Sequence, residues 1–325
     1  MDIVGIDISK AKFDAALLVG ERTRHAAFSN TEAGFAQLLT WLARYRPDPD
    51  APVHACMEAT GNWGLELADC LHSGGIRVSV VNPARIKAYG ESELARNKTD
   101  RLDAALIARF CRAHVPPAWA PPLPHLRELR ELVRRCDALK AARVQELNRQ
   151  QAGLASPAVA RSIAAHLAWL DAQIEAVAAE VRVLVAADPV LARNLALLRS
   201  ITGFGETSAT VLLAELPNIA DFTPKALAAF VGLSPSEYSS GSSVRRPGKV
   251  SRIGSERLRS TLYMCALSAK RTNKALAAFV SRMTVAGKPN KVVLIAVARK
   301  LLVYAHAVIR TQKPFNPFPD APSPA

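Results

Sequence analysis

Two aspartates three residues apart, Asp100 and Asp103 in RNKTDRLDAALIARF, stand at the mouth of a helix-like stretch, so their carboxylates share one face. Upstream, Asp7 ends an apolar strand (DIVGID) and Glu58 ends another (VHACMEA). Four acids at two strand ends and one helix are what metal-dependent phosphoryl transfer requires. Hard divalent cations take oxygen ligands, and two of them ~4 Å apart clamp both the attacking and the leaving oxygen. Taken singly, each carboxylate reads as a solvated charge, and Asp100 also suits a helix cap. Glu58 differs, because it follows apolar VHACM, where a charge is costly unless it meets a cation. Asp14 and Glu91 are nearby acids with weaker placement and stay outside the set.

A second candidate is the serine-rich run Ser239, Ser240, Gly241, Ser242, Ser243, followed by Arg245, Arg246, Lys249 and Arg252. Spacing alone reads it as a flexible, phosphate-touching loop. Read as catalytic, it offers a serine nucleophile for a phosphodiester, with arginines and metal ions stabilising the developing charge. No His or Lys base is positioned by the sequence, so local chemistry does not select the attacking serine. Further upstream, Ile201-Thr202-Gly203-Phe204-Gly205 before a Leu-rich helix is like a helix-hairpin-helix. There, Gly203 and Gly205 would let backbone amides at a helix N-terminus approach a phosphate. A glycine-rich turn between two packed helices has the same pattern.

Positioning the acids takes an α/β sheet. Residues 2–8, KFDAALLV and TRHAAFS read as strands, with Gly20 in a turn. A helix follows from about Thr31 to Tyr45, with Thr31 as cap, then the strand VHACMEA and a helix from about Asn62 to Ser73. IRVSVVN is a fifth strand, broken by Asn82-Pro83, and helical sequence runs on through Asp100 to Arg112. The order β-β-β-α-β-α-β-α is that of a ribonuclease H-like sheet, in which the acids converge on one edge. Pro116, Pro117, Pro121, Pro122 and Pro124 predict a linker. Beyond it, Ile163, Leu167, Leu170, Ile174, Val177, Val181 and Leu184 alternate at steps of four and three, a coiled-coil seam. The stretch from Leu126 to about Leu147 is amphipathic, with its seam interrupted at Lys140. The two predict an α-helical coiled-coil hairpin, serving as an internal spacer or a dimer contact.

A mainly α region begins near Asp188. It contains a polar basic loop, AFVGLSPSEYSSGSSVRRPGKVSRIGS, and helices over about Glu256–Arg282 and Asn290–Arg310. The Pro-rich end PFNPFPDAPSPA is expected to be disordered. The domains expected are 1–115 for the α/β sheet, 116–187 for the linker and hairpin, 188–313 for the C-terminal domain and 314–325 for the tail.

At 325 residues there is room for two or three cores. The net charge of +14 makes an anionic polymer the natural partner. Its distribution is uneven: sixteen Lys or Arg face a single acid, Glu256, between Ser240 and Lys313. That is too unbalanced for an ordinary solvated face, and phosphate-backbone binding accounts for it better. Five scattered cysteines without ligand spacing read as reduced thiols. The N-terminus lacks a basic leader, and the apolar run VVLIAVA, cut by Arg299 and Lys300, reads as too short to span a bilayer. A prokaryotic cytoplasmic protein with no membrane partner is expected. No GxxxxGK[ST] loop is present.

Together these motifs resemble the DEDD-type insertion-sequence transposases of the IS110 family, which include pilin-gene invertases. GIDISK, MEATGNWG, VSVVNPARIKAY and RNKTDRLDA are similar to the family's RuvC-like half. SITGFGETSATVLLAEL, AAFVGLSP and YSSGSSVR are similar to its C-terminal transposase half. The resemblance implies that Asp7, Glu58, Asp100 and Asp103 bind Mg²⁺, with Mn²⁺ as the other oxygen-liganded ion. It also implies that a serine attacks DNA to give a covalent 5′-phosphoserine. The serine directly before Gly-Ser-Ser is Ser240, and Ser239 is the second choice. A structured non-coding bridge RNA would pair with donor and target DNA. Dimers would join as a tetramer, the acids of one subunit meeting the serine of another. The alternative is a RuvC-type nuclease or junction resolvase using metal-activated water, with the serine loop only a phosphate clamp.

Overall fold

In the computed structural model, DIVGIDI, buried on both faces, forms β1 (Asp2–Ile8), the central strand of a five-stranded sheet. The structure describes residues 1–20, 22–46, 48, 50–59, 61, 63–93, 99–153, 156–240, 244–250 and 254–317, without the side chains of 235–250. These fall into two compact units, Met1–Pro122 and Leu123–Ala325.

In the first unit, β1 is antiparallel to β2 (Lys12–Val19), which is antiparallel to β3 (Arg22–Ser29). On its other side β1 is parallel to β4 (Val53–Glu58), and β4 to β5 (Arg77–Val81). The resulting order, β3-β2-β1-β4-β5, is the ribonuclease H-like arrangement. Helix α1 (Glu32–Tyr45) is capped by Thr31, whose hydroxyl accepts from the Gly34 N–H. Helices α2 (Leu65–Ser73), α3 (Pro83–Ser92) and α4 (Asp100–His114) complete the layers. Val4, Ile6, Phe13, Ala55 and Met57 share one core with Phe35, Leu38 and Leu67. Ile3, Ala16 and Cys56 belong to another, with Ile86, Ala104, Ile107 and Phe110. The sheet therefore carries α1 and α2 on one face and α3 and α4 on the other.

The helical sequence expected to run on from Pro83 is two helices. α4 begins at its own cap, Thr99, whose hydroxyl accepts from the Leu102 N–H. The Pro-rich run also differs from a plain linker. Ser79 donates to the carbonyls of Pro116 and Pro117 (3.1 and 2.7 Å), and the Trp119 N–H donates to Val78 (2.7 Å). This segment covers the open edge of β5, satisfying groups that an edge strand would leave to water.

In the second unit, α5 (Pro124–Gln151) and α6 (Pro157–Ala187) form the expected hairpin. Arg143 pairs with Asp171, and Glu146, three residues further along, with His166, so the two helices run antiparallel. Ile163, Leu167 and Leu170 are buried along the seam, while Lys140 is exposed where the α5 pattern breaks. The hairpin is part of the unit's core: Leu129, Val133 and Val185 pack with α7 (Pro189–Arg199), α8 (Glu206–Glu215) and α9 (Pro224–Val231).

Four expectations change here. The polar basic loop contains an antiparallel ribbon, β6 (Pro235–Ser240) with β7 (Val244–Val250). Both strands are edges, so Pro247 is tolerated. The helix expected over Glu256–Arg282 breaks at Asn273, whose amide donates to the Thr202 carbonyl (2.8 Å), leaving α10 (Glu256–Thr272) and α11 (Lys274–Val285). The run that looked too short for a bilayer belongs to α12 (Asn290–Thr311), whose 22 residues and mean hydropathy of 2.0 meet the length and apolarity of a span. Val293, Leu294, Val297, Leu301, Leu302 and Ala305 are buried, however, which is the pattern of a core helix. The tail begins ordered: the Phe315 ring packs on Tyr304 at 4.8 Å and its N–H donates to Ser200. Residues 318–325 lie outside the described residues.

Candidate active site

Asp7 and Glu58 follow the paired residues Ile6 and Met57, which sets them side by side at the carboxyl ends of β1 and β4. Their neighbours Ile6, Ile8 and Met57 point to the α1–α2 face, so by alternation both acids face α4. What brings α4 there is Gly5. A Cβ at this position would lie 2.2 Å from the Ala104 carbonyl oxygen and 2.3 Å from the Ala108 nitrogen. Only a residue without a side chain lets the helix backbone rest on the strand. The helix crosses β1 at Ala104 and Ala108, and its first turn, carrying Asp100 and Asp103, lies towards the same end of the sheet.

Capping by Thr99 leaves the Asp100 carboxylate for other work. It pairs with Lys12 Nζ at 2.8 Å, and the same ammonium reaches Asp14 at 3.2 Å. Hydrogen bonds donated to Asp100 and then to Asp14, with the charges of the two carboxylates, raise the Lys12 pKa. Asp14 is a residue that the sequence reading set aside. In the β1–β2 hairpin it lies directly opposite Asp7, a pairing legible only as symmetry about the Lys10–Ala11 turn. Asp7 and Asp103 are half-buried, as is Glu58, and Asp100 is exposed. Among the described residues no group of three or more His, Cys, Asp or Glu side chains is gathered closely enough to hold a metal ion. The donor set nonetheless has the right chemistry, since every candidate ligand is a carboxylate oxygen, suited to Mg²⁺ or Mn²⁺ rather than to a softer ion.

Behind the acids lies a buried polar relay. His54 Nε2 meets Ser79 Oγ at 2.8 Å, and its Nδ1 meets Cys111 Sγ at 3.4 Å. Burial, then the charge of Arg77, pushes His54 below the ordinary histidine value. A hydrogen bond with Cys111, then burial, pushes the Cys56 thiol up. The relay pins β4, β5 and α4 together two residues from Glu58.

In the second unit, Ser240 is the last residue of β6, with Val244 as its partner; Ser239 lies opposite Arg245, and Tyr238 opposite Arg246. Lys249 pairs with Ser236 in the same ribbon. Gly241, Ser242, Ser243 and Arg252 lie outside the described residues. Gly203, in the turn between α7 and α8, has φ +117°, and a Cβ there would come within 2.6 Å of the Ala269 Cβ. Its geometry therefore answers to packing against α10. Gly205 is exposed as the N-cap of α8, and its N–H donates to Ser208 Oγ (3.0 Å).

Two family models match the chain, one for the DEDD-type IS110 transposases over residues 4–157 and one for the IS116/IS110/IS902 transposase family over residues 195–281. The pilin gene-inverting protein of Moraxella bovis is 32% identical over 316 residues, spanning 96% of this chain and 97% of that protein. The chain belongs to the IS110 family of transposases. The pilin gene-inverting protein of Moraxella lacunata matches this transposase equally, at 32% over 316 residues, with the same shares of both chains. Among solved structures, T. thermophilus RuvC in complex with a Holliday junction substrate aligns with 37% of the transposase and 99% of its own chain, at 14% identity and a TM-score of 0.28. The transposase is thus an enzyme of DNA recombination, with a ribonuclease H-like first unit.

Proposed function

We propose that this transposase cuts and rejoins donor and target DNA through a covalent serine intermediate, with Asp7, Glu58, Asp100 and Asp103 holding Mg²⁺ or Mn²⁺. The observation that carries the reading is the close approach of α4 to β1 at Gly5, which directs the first turn of α4 towards the carboxyl ends of β1 and β4. A bound divalent ion would neutralise charge on the scissile phosphate and on the attacking and leaving oxygens. Asp7 and Glu58 stand on sheet strands and are held rigidly. Asp100 and Asp103 would complete the set, with an ion in the place that Lys12 holds at Asp100. Lys12 then remains paired with Asp14 and keeps a positive charge beside the phosphate path.

Ser240 Oγ attacks phosphorus, forming an O–P bond as the bond from phosphorus to the 3′ oxygen breaks. The serine gives up its proton and the departing 3′ oxygen takes one up, leaving a free 3′ hydroxyl and a 5′-phosphoserine. Rejoining reverses these steps with a different 3′ hydroxyl, so bond energy is conserved. Arg245, Arg246, Lys249 and Arg252 contribute phosphate contacts beside that serine. A structured bridge RNA supplies sequence choice by base pairing, consistent with a charge excess directed at phosphates. The α5–α6 hairpin joins subunits into dimers, two of which form the synaptic tetramer. The test is denaturing electrophoresis of radiolabelled DNA after reaction. A protein–DNA adduct in wild type that disappears in Ser240→Ala supports the reading. Normal cleavage by Ser240→Ala with no adduct would instead establish a water-using nuclease.

A further inference from the structure

Beside the carboxylate end of the sheet stands an aromatic side chain that the reaction described so far does not use. Trp63 is 50% exposed, five residues beyond Glu58. Its position is built. The Asn30 side-chain amide donates both to the Trp63 carbonyl (3.0 Å) and to the Ser9 carbonyl (3.2 Å), tying the segment after β4 to the turn after β1. The next residue, Gly64, lies against the Ile8 side chain at the end of β1. Lys10 Nζ stands over the indole, 5.6 Å from the ring centroid. Three tethered segments thus present a half-open aromatic plane with an ammonium group beside it, at the end of the sheet that carries Asp7 and Glu58.

The exposed half of the indole gains nothing from folding, since that apolar surface would be better buried. A ring plus an adjacent cation is the pairing by which proteins hold single-stranded nucleic acid: the base stacks on the ring and its phosphate meets the ammonium. We infer that Trp63 is a stacking platform for an unpaired nucleobase of the DNA strand being cut, with Lys10 on the neighbouring phosphate. This rests on the proposed DNA-cleaving function and adds to it a positioning element. An unstacked base held at the sheet end would fix its phosphodiester over the acids.

The experiment uses the full chain in the presence of a chelator, so that no metal step intervenes. Binding of a short oligo-dT strand is compared with that of an abasic strand of equal length, by titration of tryptophan fluorescence and by anisotropy. Wild type is expected to prefer oligo-dT and to be quenched by it. Trp63→Ala should lose the quenching and bind oligo-dT roughly 5–100-fold more weakly, the range for one stacked base. Trp63→Phe should keep most of the affinity, which separates loss of a ring from misfolding. Lys10→Ala should weaken both strands alike and flatten the salt dependence by about one contact. The inference is overturned if Trp63→Ala binds oligo-dT as wild type does, if wild type does not distinguish the two strands, or if only oligo-rU quenches. Loss of the serine–DNA adduct assay in wild type would instead remove the cleavage reading, and the two failures are read separately.

Discussion

At the scale of single residues, the position on which the acids depend most is not itself an acid. Gly5 sets the distance between β1 and α4, because any Cβ there meets helix backbone rather than a movable side chain. Gly5→Ala should therefore destabilise the first unit by at least about 2 kcal/mol in denaturant titration, through overpacking. DNA cleavage should fall about 100-fold, since displacing α4 misplaces Asp103. A Gly5→Ala protein with wild-type stability would show that α4 does not rest on the strand. His54 gives a pH signature. Burial and Arg77 hold it below its ordinary value of 6.5, so below that pH the unfolded chain binds a proton that the folded chain does not. Stability should decline as pH falls through 6.5, by up to about 1.4 kcal/mol per pH unit from this residue. Melting curves of wild type and His54→Gln between about pH 8 and 5 should converge towards the acid end. Parallel curves would exclude His54 as the source.

At the scale of elements, Glu215 ties three helices of the second unit together. Glu215, at the end of α8, takes two hydrogen bonds from Arg134 of α5 (2.9 and 3.0 Å) and faces Arg257 of α10 at 3.7 Å. Arg130 donates to the neighbouring Ala214 carbonyl (3.0 Å). Burial alone would raise the Glu215 pKa; the hydrogen bonds of Arg134, with the charges of Arg134, Arg130 and Arg257, outweigh it and the net shift is downward. A depressed carboxylate contributes stability above its unfolded value of 4.5, which is lost as pH falls through the folded value. Glu215→Gln should cost about 2 kcal/mol near neutral pH, because it removes a charged hydrogen-bond acceptor from half-exposed Arg134 and the counter-charge from partly buried Arg130 and Arg257. Thermal unfolding should show that difference shrinking below about pH 4. An unchanged melting temperature at neutral pH would show that the helices are held by apolar packing alone.

At the scale of the whole molecule, charge is segregated along the chain. The stretch from Ser240 to Lys313 holds the entire basic excess, and the candidate ligand acids lie within the first 103 residues. One part of the chain is suited to gripping phosphate and another to the metal chemistry. Duplex DNA binding should then be strongly salt-dependent, with the dissociation constant rising about 10³-fold or more between roughly 50 and 200 mM salt. Replacing Arg245 and Arg246 together by Ala should reduce the logarithmic salt slope by about two, read by fluorescence anisotropy. A slope near zero in wild type would contradict phosphate-directed binding.

Much of this was already legible in the chain. Short apolar runs bounded by turn residues located all five strands of the sheet, Thr31 marked the start of α1, and acids at strand ends marked the candidate site. These are local signals, with periods of two or 3.6 residues and caps that act within one turn. Other features depended on partners distant in sequence. Thr99 rather than Asp100 caps α4, which leaves Asp100 to Lys12; register sets Asp14 beside Asp7; Pro116 and Trp119 close the β5 edge. Sequence fixes which groups each segment offers. Register and close packing, limited at Gly5 and Gly203 by the room for a single carbon atom, decide which of those groups meet.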